Sequence, residues 1–468
     1  MSYFSLIYLS IFSLIISFLS FFNIIYSYYF NLYLNIDSYV YSLFLSLIIG
    51  SLFLFKKKDN YKVTIYHKIL TVISGYFLLP LILSIPFFFS IYNISFLDSY
   101  FESISGFTST GFSIFDNIKH LDQSLILWRS STQWIGGLYF LFSIILLIDI
   151  FDNNLKKSLT NFITFDTTET LKQSFKILIL YSILTFFIFV ILKIFDFRTF
   201  DSFNLSMTLI SSGGFLPFNN LSVVLNSNIK EVVFSFLMLI SFFSIFLSYN
   251  LIFLKNRNIN FFLEDIYLFF YLISLIIIFF SFLNFEHDYS LLLFSLTSSI
   301  SNIGFSLDNA PKNLSFIFLI LVIIGGSFFS TSSGIRFFKL YVLFKFSLNN
   351  LISHVKPKNI FFNKQLFSEI SFDKLIINKY FLSVLIFIIS LLFSSSFLTF
   401  FGISFENSFK ISILTLMNTV NSAMYGIEYF DFQNLQFIIK YFLIISMIIG
   451  RVELLTVLII LKKFLFKN

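Results

Sequence analysis

The chain has 468 residues, of which 57% are hydrophobic and 12% are charged. Soluble domains carry roughly a quarter of charged residues, so this composition excludes a water-covered globular protein and predicts one that lies in a membrane. The lack of cysteine excludes disulfides and thiolate metal sites.

Ten apolar segments follow one another along the chain, each long enough to cross about 30 Å of hydrocarbon as a helix. The first is too long for the core of a signal peptide and has neither an early basic region nor a cleavage pattern, so we interpret it as a spanning helix. The sequence therefore predicts an all-α, multi-pass membrane protein. The segments are 4–30, 38–55, 64–92, 126–150, 174–195, 230–254, 261–284, 314–345, 376–402 and 434–464.

The basic residues cluster in the connections that alternate onto one side of the membrane. The positive-inside rule makes that side the cytoplasm, so we expect both termini to be cytoplasmic. Anchoring to the membrane lipid explains such clusters, and docking of a cytosolic partner is a second interpretation, so the net charge of +7 does not indicate nucleic-acid binding. The clusters are Lys56–Lys58, Lys156 with Lys157, Lys255 with Arg257, Lys356 with Lys358 and Lys364, and Lys462 with Lys463 and Lys467.

Four shorter segments of similar pattern lie between pairs of spans, and each carries a polar turn rich in Ser, Thr, Asn or Gly. They are too short to cross a membrane and are candidates for re-entrant segments. The four are DSYFESISGFTSTGF (98–112), DSFNLSMTLISSGGF (201–215), LLLFSLTSSISNIGF (291–305) and FKISILTLMNTVNSA (409–423).

The order of the segments divides the chain into five parts. Residues 1–60 hold two extra N-terminal helices, and each later part repeats the order of span, short helix, polar turn and span. The third repeat has a second helix that we expect to be broken. The repeats are 61–158, 159–258, 259–360 and 361–468.

Four polar turns around one axis have a physical use. Non-helical backbone at membrane depth is tolerated where protein buries it or where it lines a cavity, and a ring of backbone carbonyls can replace the hydration shell of a cation. A single such turn is more simply an extracellular loop or a helix-packing patch. The repetition in four matching positions favours an ion filter, with Gly111, Gly214 and Gly304 at one position.

Polar and charged residues also interrupt the later spans. The stretch GGSFFSTSSGIR (325–336) is rich in Gly and Ser, and glycine costs about 1 kcal/mol in a helix interior, so we expect the 314–345 span to break there. A kink packed against a neighbouring helix is the alternative. Arg336 and Arg451 fall within spans and need partners or water, and Glu453 or Glu102 is a candidate partner for Arg451.

No residue pattern indicates an enzyme. His67, His120, His287 and His354 are scattered without metal-ligand spacing, and the chain has no Gly-rich phosphate loop ending in Gly-Lys-Ser/Thr. We therefore expect no catalytic residues and no covalently bound cofactor.

Several stretches resemble the TrkH/KtrB/HKT superfamily of potassium and sodium uptake channels, and the two extra N-terminal spans favour the TrkH type. The resemblance implies four covalently joined repeats, each similar to one potassium-channel subunit, and a homodimer with one pore in each monomer. It also implies docking of a cytosolic TrkA/KtrA-like nucleotide-binding ring. The stretches are FESISGFTSTGF (101–112), LWRSSTQWIGG (127–137), GGSFFSTSSGIRFFK (325–339) and GRVELLT (450–456).

The resemblance also implies which residues form the filter and the gate. Counting back from Gly426 places Ser422 where the fourth filter segment should have glycine, and Arg451 is expected near the pore. The filter candidates are Ser109, Thr110, Gly111, Ser212, Gly213, Gly214, Asn302, Ile303, Gly304, Val420, Asn421 and Ser422. The candidates for an intramembrane gate loop are Gly325, Gly326, Ser330, Thr331, Ser332, Ser333 and Gly334, followed by Arg336.

The function expected from these features is passage of K⁺ across the inner (plasma) membrane, down its electrochemical gradient, through a backbone-carbonyl filter. The first alternative is a sodium-selective or sodium-coupled (symporting) member of the same superfamily. The second is an alternating-access carrier for a small solute, which also uses broken helices and repeats but would need more buried charge. A scaffold without transport activity would not require the four turns.

Overall fold

The computed structural model describes residues 3–54, 64–151, 170–252, 263–282, 288–355, 374–427 and 430–452. Apart from one pair of two-residue strands, the regular structure of these residues is helical. Seven of the described helices are long and apolar enough to cross a membrane. The prediction of an all-α polytopic membrane protein is therefore confirmed.

Two N-terminal helices form a hairpin that packs against the first repeat. Helix α1 (Tyr3–Tyr29) and helix α2 (Ile36–Leu54) lie against each other, and α1 also contacts the first and second spans of the first repeat. Buried polar groups join the hairpin to the repeat, since Asn23 Nδ2 donates to the Ser124 carbonyl at 3.2 Å and Tyr39 Oη donates to Ser124 Oγ at 3.1 Å.

Each of the first two repeats contains a first span, a short helix and a second span. A short helix of 12 residues is about 18 Å long, roughly half of what a bilayer crossing requires. In the first repeat these are α3 (Ile65–Leu83) with α4 (Ile85–Phe88), α5 (Phe96–Phe107) and α6 (Gln123–Phe151). In the second they are α7 (Thr170–Ile194), α8 (Thr199–Ile210), and α9 (Asn228–Phe242) with α10 (Ile245–Ile252).

The third and fourth repeats have the same order, and the third has a second span in two pieces. The third repeat contains α11 (Leu263–Phe282), α12 (Tyr289–Ile300), α13 (Ser315–Ile323), strands β1 (Ile324–Gly325) and β2 (Ile335–Arg336), and α14 (Phe337–Val355). The fourth contains α15 (Lys374–Phe400), α16 (Phe405–Leu416) and α17 (Phe437–Val452).

The repeats close into a ring because each second span packs against the short helix of the following repeat. The four contacts are α6 with α8, α9 with α12, α13 with α16, and α17 with α5. The last contact joins the end of the chain to the first repeat. Going around the ring the order is one, two, three, four, so the second repeat lies opposite the fourth.

One break in a span was not visible in the sequence. The apolar run 230–254 divides into α9 and α10 at Phe243, whose backbone is extended with ψ 164°. Asp265 replaces the lost helical hydrogen bond, since its Oδ1 accepts from the Ser244 amide at 2.9 Å. The amide of Ile245 donates to the Phe329 carbonyl at 3.1 Å, so the break also attaches to the broken span of the third repeat.

The basic connections that carry the topology prediction lie outside the described residues, as does Glu453. The cytoplasmic location of both termini therefore stays a prediction.

Candidate selectivity filter and gate loop

All four short helices end in the same way, and we call the turns that follow them, residues 109–111, 212–214, 302–304 and 418–420, the four filter turns. After one residue with helical or nearly helical backbone, the chain enters the left-handed region at a residue other than glycine. The next amide then donates back to the carbonyl five residues earlier. This pattern is typical of the Schellman ending of a helix. The left-handed residues are Ser109 (φ 59°), Ser212 (58°), Asn302 (58°) and Asn418 (47°). The returning hydrogen bonds are Thr110 to Ser105 at 2.9 Å, Gly213 to Thr208 at 2.8 Å, Ile303 to Ser298 at 3.2 Å and Thr419 to Leu414 at 2.9 Å.

This shared geometry corrects the register of the fourth segment. The expected set of Val420, Asn421 and Ser422 is wrong by two residues, because Asn418 holds the position of Ser109 and Val420 holds that of Gly111. Asn421 and Ser422 come after the residues that match 109–111. The count from Gly426 failed because that glycine, with φ 72°, ends a local 3-10 turn at Ala423–Tyr425.

We call the four equivalent residues Gly111, Gly214, Gly304 and Val420 the glycine layer, because three of them are glycine. Gly111 and Gly304 have φ values of 82° and 84°, which favour glycine. A methyl group added to Gly111 would lie 2.6 Å from Gly214 Cα, and one added to Gly304 would lie 2.7 Å from the Val420 carbonyl oxygen. The four turns therefore meet at one place, and glycine at positions 111 and 304 allows the close approach of the neighbouring backbones.

Hydrogen bonds between neighbouring turns hold the ring together just before the glycine layer. Ser212 Oγ donates to the Ser301 carbonyl, Asn418 Nδ2 donates to Thr110 Oγ1 at 3.0 Å, and the Val420 amide donates to the Ile303 carbonyl at 3.4 Å. Each bond joins adjacent repeats. The carboxyl ends of four helices, which carry partial negative charge, thus converge on one buried region.

The broken span of the third repeat places a buried polar loop beside this region. We call residues 324–336 the gate loop; it leaves α13 at Ile323 and returns through β2, which pairs in parallel with β1. Thr331 Oγ1 donates to the Ile210 carbonyl at the end of α8 at 2.7 Å. The Ser327 amide donates to the Phe242 carbonyl at 3.0 Å. This bond satisfies a carbonyl group that lost its helical partner at the break after α9.

Two buried arginines make hydrogen bonds with the gate loop: Arg336 at the loop's own end, and Arg451 on α17. Arg336 Nη1 donates to the Ser327 carbonyl at 3.0 Å, to Ser330 Oγ at 3.2 Å and to the Ser332 carbonyl at 2.9 Å. Its guanidinium thus fixes the shape of the loop from inside.

Arg451 connects the gate loop to the first filter turn. It donates through Nη1 to Ser333 Oγ and through Nη2 to Ser109 Oγ at 3.3 Å. Its guanidinium carbon lies 3.9 Å from the centroid of the Phe140 ring, an arrangement in which the face of the ring attracts the cation. Arg451 therefore sits between the first filter turn and the gate loop.

Glu102, a candidate partner of Arg451, pairs with Arg129 instead. Arg129 Nε lies 2.8 Å from Glu102 Oε1, and both side chains are buried. The second carboxylate oxygen accepts from the Ile114 amide at 2.9 Å. The Arg129 guanidinium also lies 4.1 Å from the ring of Phe215, the residue after Gly214. The pair thus supports the first filter turn and touches the second.

Comparisons with known proteins agree on one kind of protein. No protein-family model matches the chain. An uncharacterized cation transporter of Methanocaldococcus jannaschii is 26% identical over 88% of this chain and 85% of its own length. The Trk system potassium uptake protein TrkG of Escherichia coli is 26% identical over 80% of each chain, and TrkH of Escherichia coli is 23% identical over 89% of each chain.

The crystal structure of the potassium transporter TrkH from Vibrio parahaemolyticus has the same fold, with a TM-score of 0.82, 20% identity and coverage of 98% of both chains. The predicted resemblance to TrkH-type proteins is confirmed. The relatives named here are transport proteins, in agreement with the expectation that the chain is not an enzyme.

Sequence reasoning missed three contacts that support this candidate site. The Arg129–Glu102 pair could have been found from an arginine in the 126–150 span and a glutamate on the preceding short segment. Lys440 Nζ lies 2.5 Å from Asp98 Oδ1 and joins α17 to α5. This ion pair helps to close the ring between the fourth and the first repeat, and the order of the repeats was the one sequence signal for it. The contact of Asp265 with the break after α9 had no sequence signal, because it joins elements of different repeats.

Proposed function

We propose that the chain is a potassium channel or uptake subunit that carries K⁺ through the ring of four filter turns. The observation that carries the proposal is the shared helix ending of the four repeats, which brings equivalent backbone segments together at the glycine layer. The names of the relatives TrkG and TrkH as potassium uptake proteins support the choice of ion.

In this proposal the backbone of four segments coordinates the ion, and the negative ends of the short helices favour a cation over an anion. The segments are residues 109–111, 212–214, 302–304 and 418–420. The backbones of neighbouring segments lie close together at the glycine layer. A negative-inside membrane potential supplies about 2.3 kcal/mol per charge per 100 mV.

The gate loop is proposed to control access to the filter. It touches the end of α8 through Thr331 and is linked to the first filter turn through Arg451. Opening would break the hydrogen bond between Arg451 and Ser333 and that between Thr331 and the Ile210 carbonyl. The loop would then separate from the filter without unfolding the helices on either side.

We further propose the assembly that the resemblance implies: a homodimer in the inner membrane, with both termini cytoplasmic and a TrkA/KtrA-like nucleotide-binding ring docked on that side. The basic connections support this orientation. Sodium conduction is the second candidate function, and the observation that favours it is Val420, which reduces the glycine layer from four glycines to three.

A flux assay tests the proposed function. The purified protein is reconstituted into liposomes, and uptake of K⁺ and of Na⁺ is measured under an imposed inside-negative potential. We expect K⁺ uptake that Gly111→Asp abolishes, because a side chain there overlaps the Gly214 backbone. Growth of a potassium-uptake-deficient bacterium at low K⁺ provides the parallel test in cells. No uptake of either ion by folded protein would refute the proposal, and uptake of Na⁺ alone would select the second candidate.

A further inference from the structure

Val420 is the one member of the glycine layer that carries a side chain. The matching positions in the other three repeats are Gly111, Gly214 and Gly304. Among the described residues with positive φ the non-glycine members include Asn418 but not Val420, as expected because a β-branched residue is an outlier there. The fourth turn therefore cannot copy the backbone of the first and third, in which glycine has a positive φ.

The side chain of Val420 extends toward the opposite side of the ring. A methyl group placed on Gly214 would lie 3.0 and 3.1 Å from the two methyl carbons of Val420. Gly214 belongs to the second repeat, which lies across the ring from the fourth. A side chain that starts in one repeat and reaches the opposite repeat must pass through the centre.

Val420 also contacts its neighbour in the ring. A methyl group placed on Gly304 of the third repeat would lie 3.0 Å from Val420 Cγ1. Val420 is only partly buried, in contrast to the fully buried Thr419 that precedes it. The isopropyl group thus fills the middle of the glycine layer and is not packed away behind the filter.

A hydrocarbon group at this place has two consequences for a cation. It provides no oxygen ligand where carbonyl groups would otherwise replace the hydration shell. It also narrows the passage for an ion at the glycine layer. The missing ligand and the narrower passage are both more unfavourable for K⁺ than for Na⁺, because Na⁺ is smaller and needs fewer ligands.

We propose that Val420 limits conduction and sets ion preference: its side chain stands on the pore axis at the glycine layer and must move aside before an ion passes. The inference rests on the proposed function of ion conduction. It identifies the fourth repeat as the one that makes the flux slow and the discrimination of K⁺ from Na⁺ weak.

The test compares Val420→Gly, Val420→Ala and Val420→Ile with the unchanged protein in the liposome flux assay. The matched control is Val72→Ala, which removes the same atoms from a buried position on α3 away from the filter. If the Val420 side chain must leave its preferred torsion before an ion passes, the barrier to conduction includes the free energy of one strained torsion. Removing the side chain in Val420→Gly should therefore make K⁺ uptake about tenfold faster. We expect a smaller increase for Val420→Ala, a decrease for Val420→Ile, and a higher ratio of K⁺ to Na⁺ uptake for Val420→Gly.

The outcomes separate this inference from the proposed function. Uptake by the unchanged protein that stays the same in all three Val420 variants would overturn the inference and leave the proposed function intact. Uptake by Val420→Gly or Val420→Ala but not by the unchanged protein would refute ion uptake by the unchanged protein and support the block by Val420. No ion uptake by the unchanged protein or by any Val420 variant, with each protein eluting as a single folded species, would overturn both proposals. An equal increase in Val72→Ala would also overturn the inference, because the effect would then not depend on the axis.

Discussion

Glu102→Gln removes the charge that balances the buried Arg129. Both side chains are at most 1% exposed, and Glu102 accepts hydrogen bonds from Arg129 Nε at 2.8 Å, the Ile114 amide at 2.9 Å and Ser113 Oγ at 3.2 Å. Glutamine keeps the shape but presents an amide N–H to a site lined by donors. Removing one partner of a buried ion pair costs about 3–5 kcal/mol, so we expect a decrease of about that size in the free energy of unfolding.

The measurement is an SDS titration of the purified protein in mild detergent, followed by tryptophan fluorescence. The two tryptophans are Trp128 and Trp134, both on α6 next to the pair, so the signal reports the affected helix. The double variant Glu102→Gln/Arg129→Met removes both charges and should recover a large part of the loss, because the uncompensated charge is gone. Glu406→Gln, which breaks the exposed Glu406–Lys410 pair, is the control and should have little effect.

The comparison of single and double variants decides the reasoning. A double variant that is as unstable as Glu102→Gln, or less stable, would show that the loss does not come from an unpaired charge. A loss in Glu406→Gln equal to that in Glu102→Gln would refute the argument from burial.

Three further predictions concern the filter, the ring closure and the gate. Asn418→Ala should be less stable in the same SDS titration than Asn418→Gly by about 1–2 kcal/mol, because alanine is strained at φ 47°; equal stability would contradict this. Asp98→Asn should lower the free energy of unfolding by about 1.5–3 kcal/mol through loss of the charge-assisted bond to Lys440, and an unchanged midpoint would mean that the ring closes without it. Ser333→Ala removes a hydrogen-bond acceptor of Arg451 and should raise K⁺ uptake into liposomes about tenfold without changing the ratio of K⁺ to Na⁺ uptake; a changed ratio would place Ser333 in ion selection.

The spans, the four short segments and their order are readable in the sequence because the bilayer imposes them. A segment that crosses hydrocarbon must be apolar over its whole length, and a polar turn at that depth must be shared with other turns or with water. The Gly- and Ser-rich stretch 325–336 stands out against an apolar span for the same reason. These features are local, so residues close in sequence suffice to predict them.

The tertiary structure decided what depends on contacts between repeats. The fourth filter register follows from the left-handed residue Asn418, which holds its place through a bond to Thr110 more than three hundred residues away. The sequence does not show which buried groups Glu102 and Arg451 bind. The packing of the ring places Glu102 against Arg129 and Arg451 against Ser333. An apolar run has the same composition whether its helix continues or breaks, so only the packed neighbours determine that the span breaks at Phe243 and that Val420 lies on the axis.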